Sequence, residues 1–166
     1  LDLRMWGYHL MRTCRTTDEF VDGLSRVPLT GKGFNIALAD AWGDTCIVEA
    51  PVPRFAVRGR RDAFAYSTNH YISDEYKTAD NRNYEQKCVS TWRFGYLRWR
   101  EQTSPPRTVD DMEALLCSHE PWAPCRHGGA HQDFTAWSMI GLPAERRVMI
   151  AAGPPCMTDY HTYTFE

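Results

Sequence analysis

Thr68, Asn69 and His70 stand side by side in YSTNHY (66–71), directly after an apolar run that ends at Tyr66. An amide next to an imidazole at the mouth of a strand has two readings. Asparagine side chains bond neighbouring backbone and tolerate left-handed conformations, so the triplet can simply close a turn. A side-chain amide held by a rigid element can also aim its N–H at a developing tetrahedral oxyanion, and one such donor removes about 3 to 4 kcal/mol of barrier.

Two other groupings carry reactive side chains. Arg93 follows Ser90 by three residues, which places both on one face of a helix. There Arg93 is either a solvated charge or a bidentate partner for a substrate or catalytic carboxylate. Cys125, Arg126 and His127, with His131 four residues on, form a CxH with a second imidazole. Zinc normally needs three or four ligands, and spacing reveals no further ones here. His127 as base to Cys125 is the alternative, although neighbours two apart in an irregular loop define no catalytic geometry. No metal and no cofactor are expected.

The remaining cysteines, at 14, 46, 88, 117 and 156, include no CxxC pair, and most of the six lie within apolar runs. Free buried thiols are the expected state.

The elements that must position these residues belong to a chain of 166 residues, 43% hydrophobic and 13% aromatic, enough for one domain with a sizeable core. A net charge of -2, from 19 basic and 21 acidic residues, gives no field that would recruit nucleic acid or an anionic surface. No apolar stretch approaches the roughly 20 residues of a membrane span, and the start lacks the pattern of a signal peptide, so a cytoplasmic location is expected.

Helical spacing of Leu3, Trp6, Leu10 and Cys14 predicts a first helix that begins without a cap. Thr16 stands three residues before Glu19 and opens a second helix, which Pro28 ends. The period then becomes two. Phe34, Ile36 and Leu38 alternate with Asn35, Ala37 and Ala39, and segments 45–51, 54–60 and 63–68 complete four expected antiparallel strands. From Cys88 the period is helical again, with Val89, Trp92, Tyr96 and Trp99 on one stripe. Residues 109–120 predict a short helix, and 134–142 with 146–153 a final hairpin. This order predicts a layered α+β domain over 1–166.

Taken in order, GFNIALADAWGDTCIVEA, YSTNHY, CVSTWRFGYLR, APCRHGG, FTAWSMI and AAGPPC make the joint pattern N…DAxGD…VE…TNH…SxxR…CRH…T…GxPC. This pattern resembles the acyl-coenzyme A:isopenicillin N acyltransferase family of N-terminal nucleophile (Ntn) hydrolases, over nearly the whole chain. The resemblance implies an αββα sandwich, autoproteolytic maturation and a cysteine that becomes the first residue of the mature catalytic chain. Its thiolate would attack an amide or thioester carbonyl and form a thioester acyl-enzyme. Water or an amine would then take the acyl group. A small-molecule acyl-amide or acyl-thioester is the implied substrate, and the activity that of an amidohydrolase or acyltransferase.

Residue by residue, the resemblance makes Asn69 the oxyanion-hole amide, His70 and Ser90 its supports, and Arg93 a positioning group. Asp40 and Glu49 fall on the DAxGD and VE positions and read as turn and strand structure. None of the six cysteines has the context of the family's maturation site. The nucleophile is therefore expected upstream of Leu1, and the chain is expected to be the C-terminal part of the enzyme, inactive without that missing N-terminal segment. The contrasting expectation is a non-catalytic binding or assembly domain of the same ancestry.

Overall fold

A computed structural model describes residues 1–128 and 134–165, so His131 lies outside the described residues. It combines four α-helices with two three-stranded antiparallel sheets, an α+β arrangement, among the described residues. The chain divides into two compact units, Leu1–Thr91 and Trp92–Glu166.

The first unit opens with α1 (Leu3–Thr13) and α2 (Thr17–Ser25). Contrary to the uncapped start expected for α1, Asp2 caps it by accepting the backbone N–H groups of Arg4 and Met5. Thr16 caps α2 through Glu19 N, while the Glu19 carboxylate reaches back to Arg15 N at 2.7 Å. Both ends use acceptor oxygens to satisfy amides that have no partner inside the helix.

Strands β1 (Phe34–Ala39), β2 (Thr45–Ala50) and β3 (Ala56–Arg58) follow in that order across one sheet. Their register puts Phe34 opposite Ala50, Ile36 opposite Val48 and Leu38 opposite Cys46. Period-two alternation turns these side chains to one face, where Leu3, Leu10, Phe20 and Leu24 of the two helices pack against them. Full burial of each such leucine contributes roughly 2 kcal/mol. The opposite face of the sheet carries Asn35, Glu49 and Arg58, and everything distinctive about the unit follows from that polar set.

The expected fourth strand at 63–68 does not form. Its carbonyls are taken by side chains instead of a neighbouring strand. Arg58 Nη2 donates to Tyr66 O at 3.0 Å, and Asn35 Nδ2 donates to Thr68 O at 2.7 Å and His70 O at 2.9 Å. With those acceptors served, the segment runs extended over the sheet face as a loop.

Helix α3 (Tyr84–Thr103) starts four residues before its expected beginning. The aromatic stripe on it divides: Tyr96 is buried, whereas Trp92 and Trp99 are exposed. In the second unit, Thr108 and Asp111 form a reciprocal capping box at the start of α4 (Val109–Cys117). Strands β4 (Ser138–Leu142), β5 (Arg147–Ala151) and β6 (His161–Thr164) form a meander, so the expected hairpin gains a third strand. β6 is short and exposed throughout, and HTYT has too little apolar alternation to announce itself. Only Cys46 and Cys125 of the six free cysteines are buried, which corrects the expectation of buried thiols for the other four. Cys156 is exposed in a turn closed by Met157 N donating to Pro154 O at 2.9 Å.

Candidate active site

The loop that carries Asn69 is fastened from two sides. From the sheet, Asn35 and Glu49 sit directly across from each other on β1 and β2. Asn35 donates to the Thr68 and His70 carbonyls, one on each side of Asn69. The Glu49 carboxylate accepts Ile72 N at 3.1 Å and Ser73 N at 2.9 Å, and receives Arg58 Nε at 2.7 Å. Glu49 is wholly buried. Burial alone would push its carboxyl up, but the Ser73 donors, Arg58 and Ile72 N–H outweigh that and hold it below the ordinary carboxylate range.

From the helix, Ser90 is the fastening point, and it is completely buried. Its Oγ accepts Asn69 N at 2.9 Å and lies 2.9 Å from His70 Nδ1, while its own proton goes to Thr68 Oγ1 at 3.0 Å. The Thr68 hydroxyl donates in turn to Ser90 O at 3.0 Å. Each hydroxyl has one proton, so this account closes when His70 carries its own proton on Nδ1. Burial, reinforced by the nearby Arg82 charge, lowers the His70 pKa below the usual imidazole value and favours that neutral form.

Thr68, Asn69 and Tyr71 line one wall of a cavity of about 620 Å³ within this unit. Asn35, Lys32 and Arg82 complete its polar lining, and Arg82 is held bidentately by Asp80 at 2.5 and 2.9 Å. Gly33 is required where the cavity meets the sheet edge, because a Cβ there would run into the Ala50 carbonyl and the Tyr71 hydroxyl. Asn69 is exposed and therefore accessible to a small molecule in this space.

Asp40 stands away from the Asn69 loop and organises the DAWGD turn. Its carboxylate accepts Trp42 N and Asp44 N at 3.0 and 3.1 Å, and Thr17 N of α2 at 3.1 Å. Gly43 completes the turn at φ +90°, a conformation that glycine adopts without Cβ strain. Arg93 lies on α3 one turn beyond Ser90, among the residues of the second unit.

Asn35 and Arg58 are the contributors that spacing did not single out. Their signal was present in the strands, since each is a polar residue on the face opposite the apolar set of Phe34, Ile36 and Val57.

In the second unit, the Cys125/His127 pair has two companions far away in sequence, His119 and Cys156. The four potential ligand atoms all lie within 4.8 Å of one another. Cys46 and Cys125 thiols are pushed up by burial, Cys125 to about 11 with the Cys156 thiol beside it. Neither is poised to be a thiolate nucleophile as it stands.

Comparison with known proteins bears on the chemistry. A family model described as acyl-coenzyme A:6-aminopenicillanic acid acyl-transferase matches residues 5–155. No curated protein and no solved structure matches the chain. The matched segment contains the whole Thr68–Asn69–His70–Ser90 constellation, Arg93, and both ends of the polar sheet face.

Proposed function

Because the chain belongs to the acyl-coenzyme A:6-aminopenicillanic acid acyl-transferase family, we propose that its loop at 68–73 is the oxyanion-stabilising half of a cysteine acyltransferase site. The observation that carries this reading is the fixation of Asn69 on both sides. Its flanking carbonyls are bound to Asn35 and its own N–H to Ser90, and it borders a cavity large enough for a small acyl substrate. An amide whose backbone cannot shift stabilises charge with little reorganisation when the reaction occurs.

In the mechanism, a thiolate attacks the carbonyl carbon of an acyl-thioester or acyl-amide. The carbonyl oxygen becomes the oxyanion, and the Asn69 side-chain N–H donates to it. Collapse breaks the C–S or C–N bond, the leaving thiol or amine takes a proton, and the acyl group remains on the enzyme as a thioester. An amine acceptor or water then attacks that thioester through a second oxyanion at the same place, which regenerates the thiolate. Arg93 is assigned a positioning role toward a carboxylate of the substrate or the enzyme. Neutral His70 supports the loop through its contacts with Ser90 and Thr68.

The nucleophile is proposed to be an N-terminal cysteine freed by autoproteolysis in a segment outside 1–166. The raised thiol pKa values of Cys46, Cys117 and Cys125 support this assignment. The proposed architecture is the αββα sandwich of Ntn hydrolases, supported by the helical layer on one face of the first sheet.

The test uses the full-length gene product, supplied with an acyl-coenzyme A and with 6-aminopenicillanic acid as acceptor. The expected result is an acyl adduct released by hydroxylamine and located on a cysteine at a processed N-terminus. A product that is never processed and never acylated would overturn the reading in favour of binding without catalysis.

A further inference from the structure

His119, Cys125, His127 and Cys156 come from three separate stretches of the second unit, and their ligand atoms converge. His119 Nε2 lies 2.8 Å from His127 Nε2, Cys125 Sγ lies 3.4 Å from Cys156 Sγ, and Cys156 Sγ lies 3.2 Å from His127 Nε2. Four lone-pair donors with no cationic side chain among them have gathered inside 4.8 Å. A zinc ion bound at about 2.3 Å to sulfur and about 2.05 Å to nitrogen sets tetrahedral edges of about 3.8 Å between sulfurs and about 3.3 Å between nitrogens. The observed separations fall on this scale, so small rotations about the side-chain bonds complete a tetrahedron.

The geometry points to a structural zinc site of Cys2His2 type, built from these four residues. Two thiolates and two imidazoles are the donor set that zinc takes in closed, four-coordinate sites, and their mixture of soft and borderline ligands disfavours magnesium and calcium. All four positions come from protein, leaving none for substrate or activated water. The ion would therefore brace the fold and take no part in the acyl chemistry.

Each ligand is already presented by local structure. His119 follows the end of α4, where the Ser118 amide donates to Leu115 O. The Cys125–His127 stretch is held by Arg126 N donating to Thr135 Oγ1 at 2.9 Å, by Thr135 N donating to Arg126 O at 2.6 Å, and by a bridge between His127 and Phe134. Cys156 occupies the turn between β5 and β6. The histidine rings meet nearly edge to face, at 85°, with both Nε2 atoms turned to the same point. Binding replaces the two thiol protons with one ion and fastens the α4–β4 connection to the β5–β6 connection. Those segments are remote in sequence, so the constraint on the unfolded chain is large.

A disulfide between Cys125 and Cys156 is the competing fate of these thiols. Their sulfurs are 3.4 Å apart, well beyond the roughly 2.05 Å of a covalent bond. The deciding experiment purifies the full-length protein under reducing conditions, reconstitutes it with Zn²⁺, and measures zinc by elemental analysis. About one zinc per chain is expected, falling at least fivefold in Cys156→Ser and in His127→Gln but not in Asn69→Ala. Since the ligand variants could fail to fold, two further measurements use the wild-type chain alone. Co²⁺ in place of zinc should give the intense visible absorption of a tetrahedral thiolate site. Bound Zn²⁺ should slow alkylation of Cys125 and Cys156 at least tenfold, with Cys14 unaffected. Absence of stoichiometric zinc, zinc that leaves Cys125 and Cys156 fully reactive, or a Cys125–Cys156 disulfide in protein prepared without oxygen would each overturn the assignment.

Discussion

Asn35 and Glu49, cross-strand partners on β1 and β2, hold successive parts of one loop from the same face of the sheet. The amide gives two donors to carbonyls, and the carboxylate takes two backbone amides a few residues on. One side chain is thus matched to acceptors and the other to donors, and Asn69 is carried by the stretch fixed between them. A loop with its backbone groups satisfied in this way has little reason to rearrange when a substrate arrives.

Loss of the Ser90 hydroxyl should loosen that arrangement from the helix side. Ser90→Ala leaves the Asn69 N–H and His70 Nδ1 without their acceptor in a buried setting, and each such group costs about 1 to 3 kcal/mol. Urea unfolding should show a lower midpoint at unchanged slope, corresponding to a loss of about 2 to 4 kcal/mol.

Replacement of Glu49 by glutamine keeps the shape and removes the charge. Arg58 then loses a buried anionic partner, and an NH2 group faces the Ile72 or Ser73 N–H. The expected cost is about 3 kcal/mol. Hydrogen exchange should speed up first at the amides of Ile72 and Ser73, and equal rates in both proteins would contradict the clamp.

Asn69→Ala should behave in the opposite manner. The side chain is exposed and the Ser90 contact uses its backbone, so stability should change by less than about 0.5 kcal/mol. In the full-length enzyme, kcat should fall by about 10² to 10³ with little change in KM, as for removal of one oxyanion donor.

The pH dependence of stability follows from His70. Its folded pKa lies below the ordinary 6.5, so between those values the unfolded chain binds more protons than the folded one. The stabilisation is complete above about pH 6.5 and is lost as pH falls through the depressed folded value. Glu49, also depressed, adds a second loss as pH falls below its ordinary 4.5. Melting temperatures should drop between about pH 7 and 5, and His70→Gln should flatten that part of the profile.

Gly33→Ala probes the seam between the cavity and the sheet edge. The new methyl group meets backbone at Ala50, which cannot move aside without breaking the sheet register. A loss of about 1 to 3 kcal/mol is expected from denaturant unfolding.

The sequence by itself determined the local elements and the chemistry they advertise. Thr16 with Glu19 announces the start of α2 because a capping oxygen and its partner act within one helical turn. Phe34, Ile36 and Leu38 announce the buried face of β1 because period two is a property of the strand itself. The TNH and SxxR stretches likewise carry the family likeness that the match over residues 5–155 bears out. Tertiary structure decided what those patterns leave open. The apolar run at 63–68 has the composition of a strand, yet Arg58 and Asn35, distant in sequence, take its carbonyls and make it a loop. Cys125 and His127 are visible as a pair, whereas His119 and Cys156 join them only after a helix and a meander have folded. Periodicity records interactions over a few residues. Which distant donor meets which acceptor depends on the closing of long loops, and no local spacing encodes that outcome.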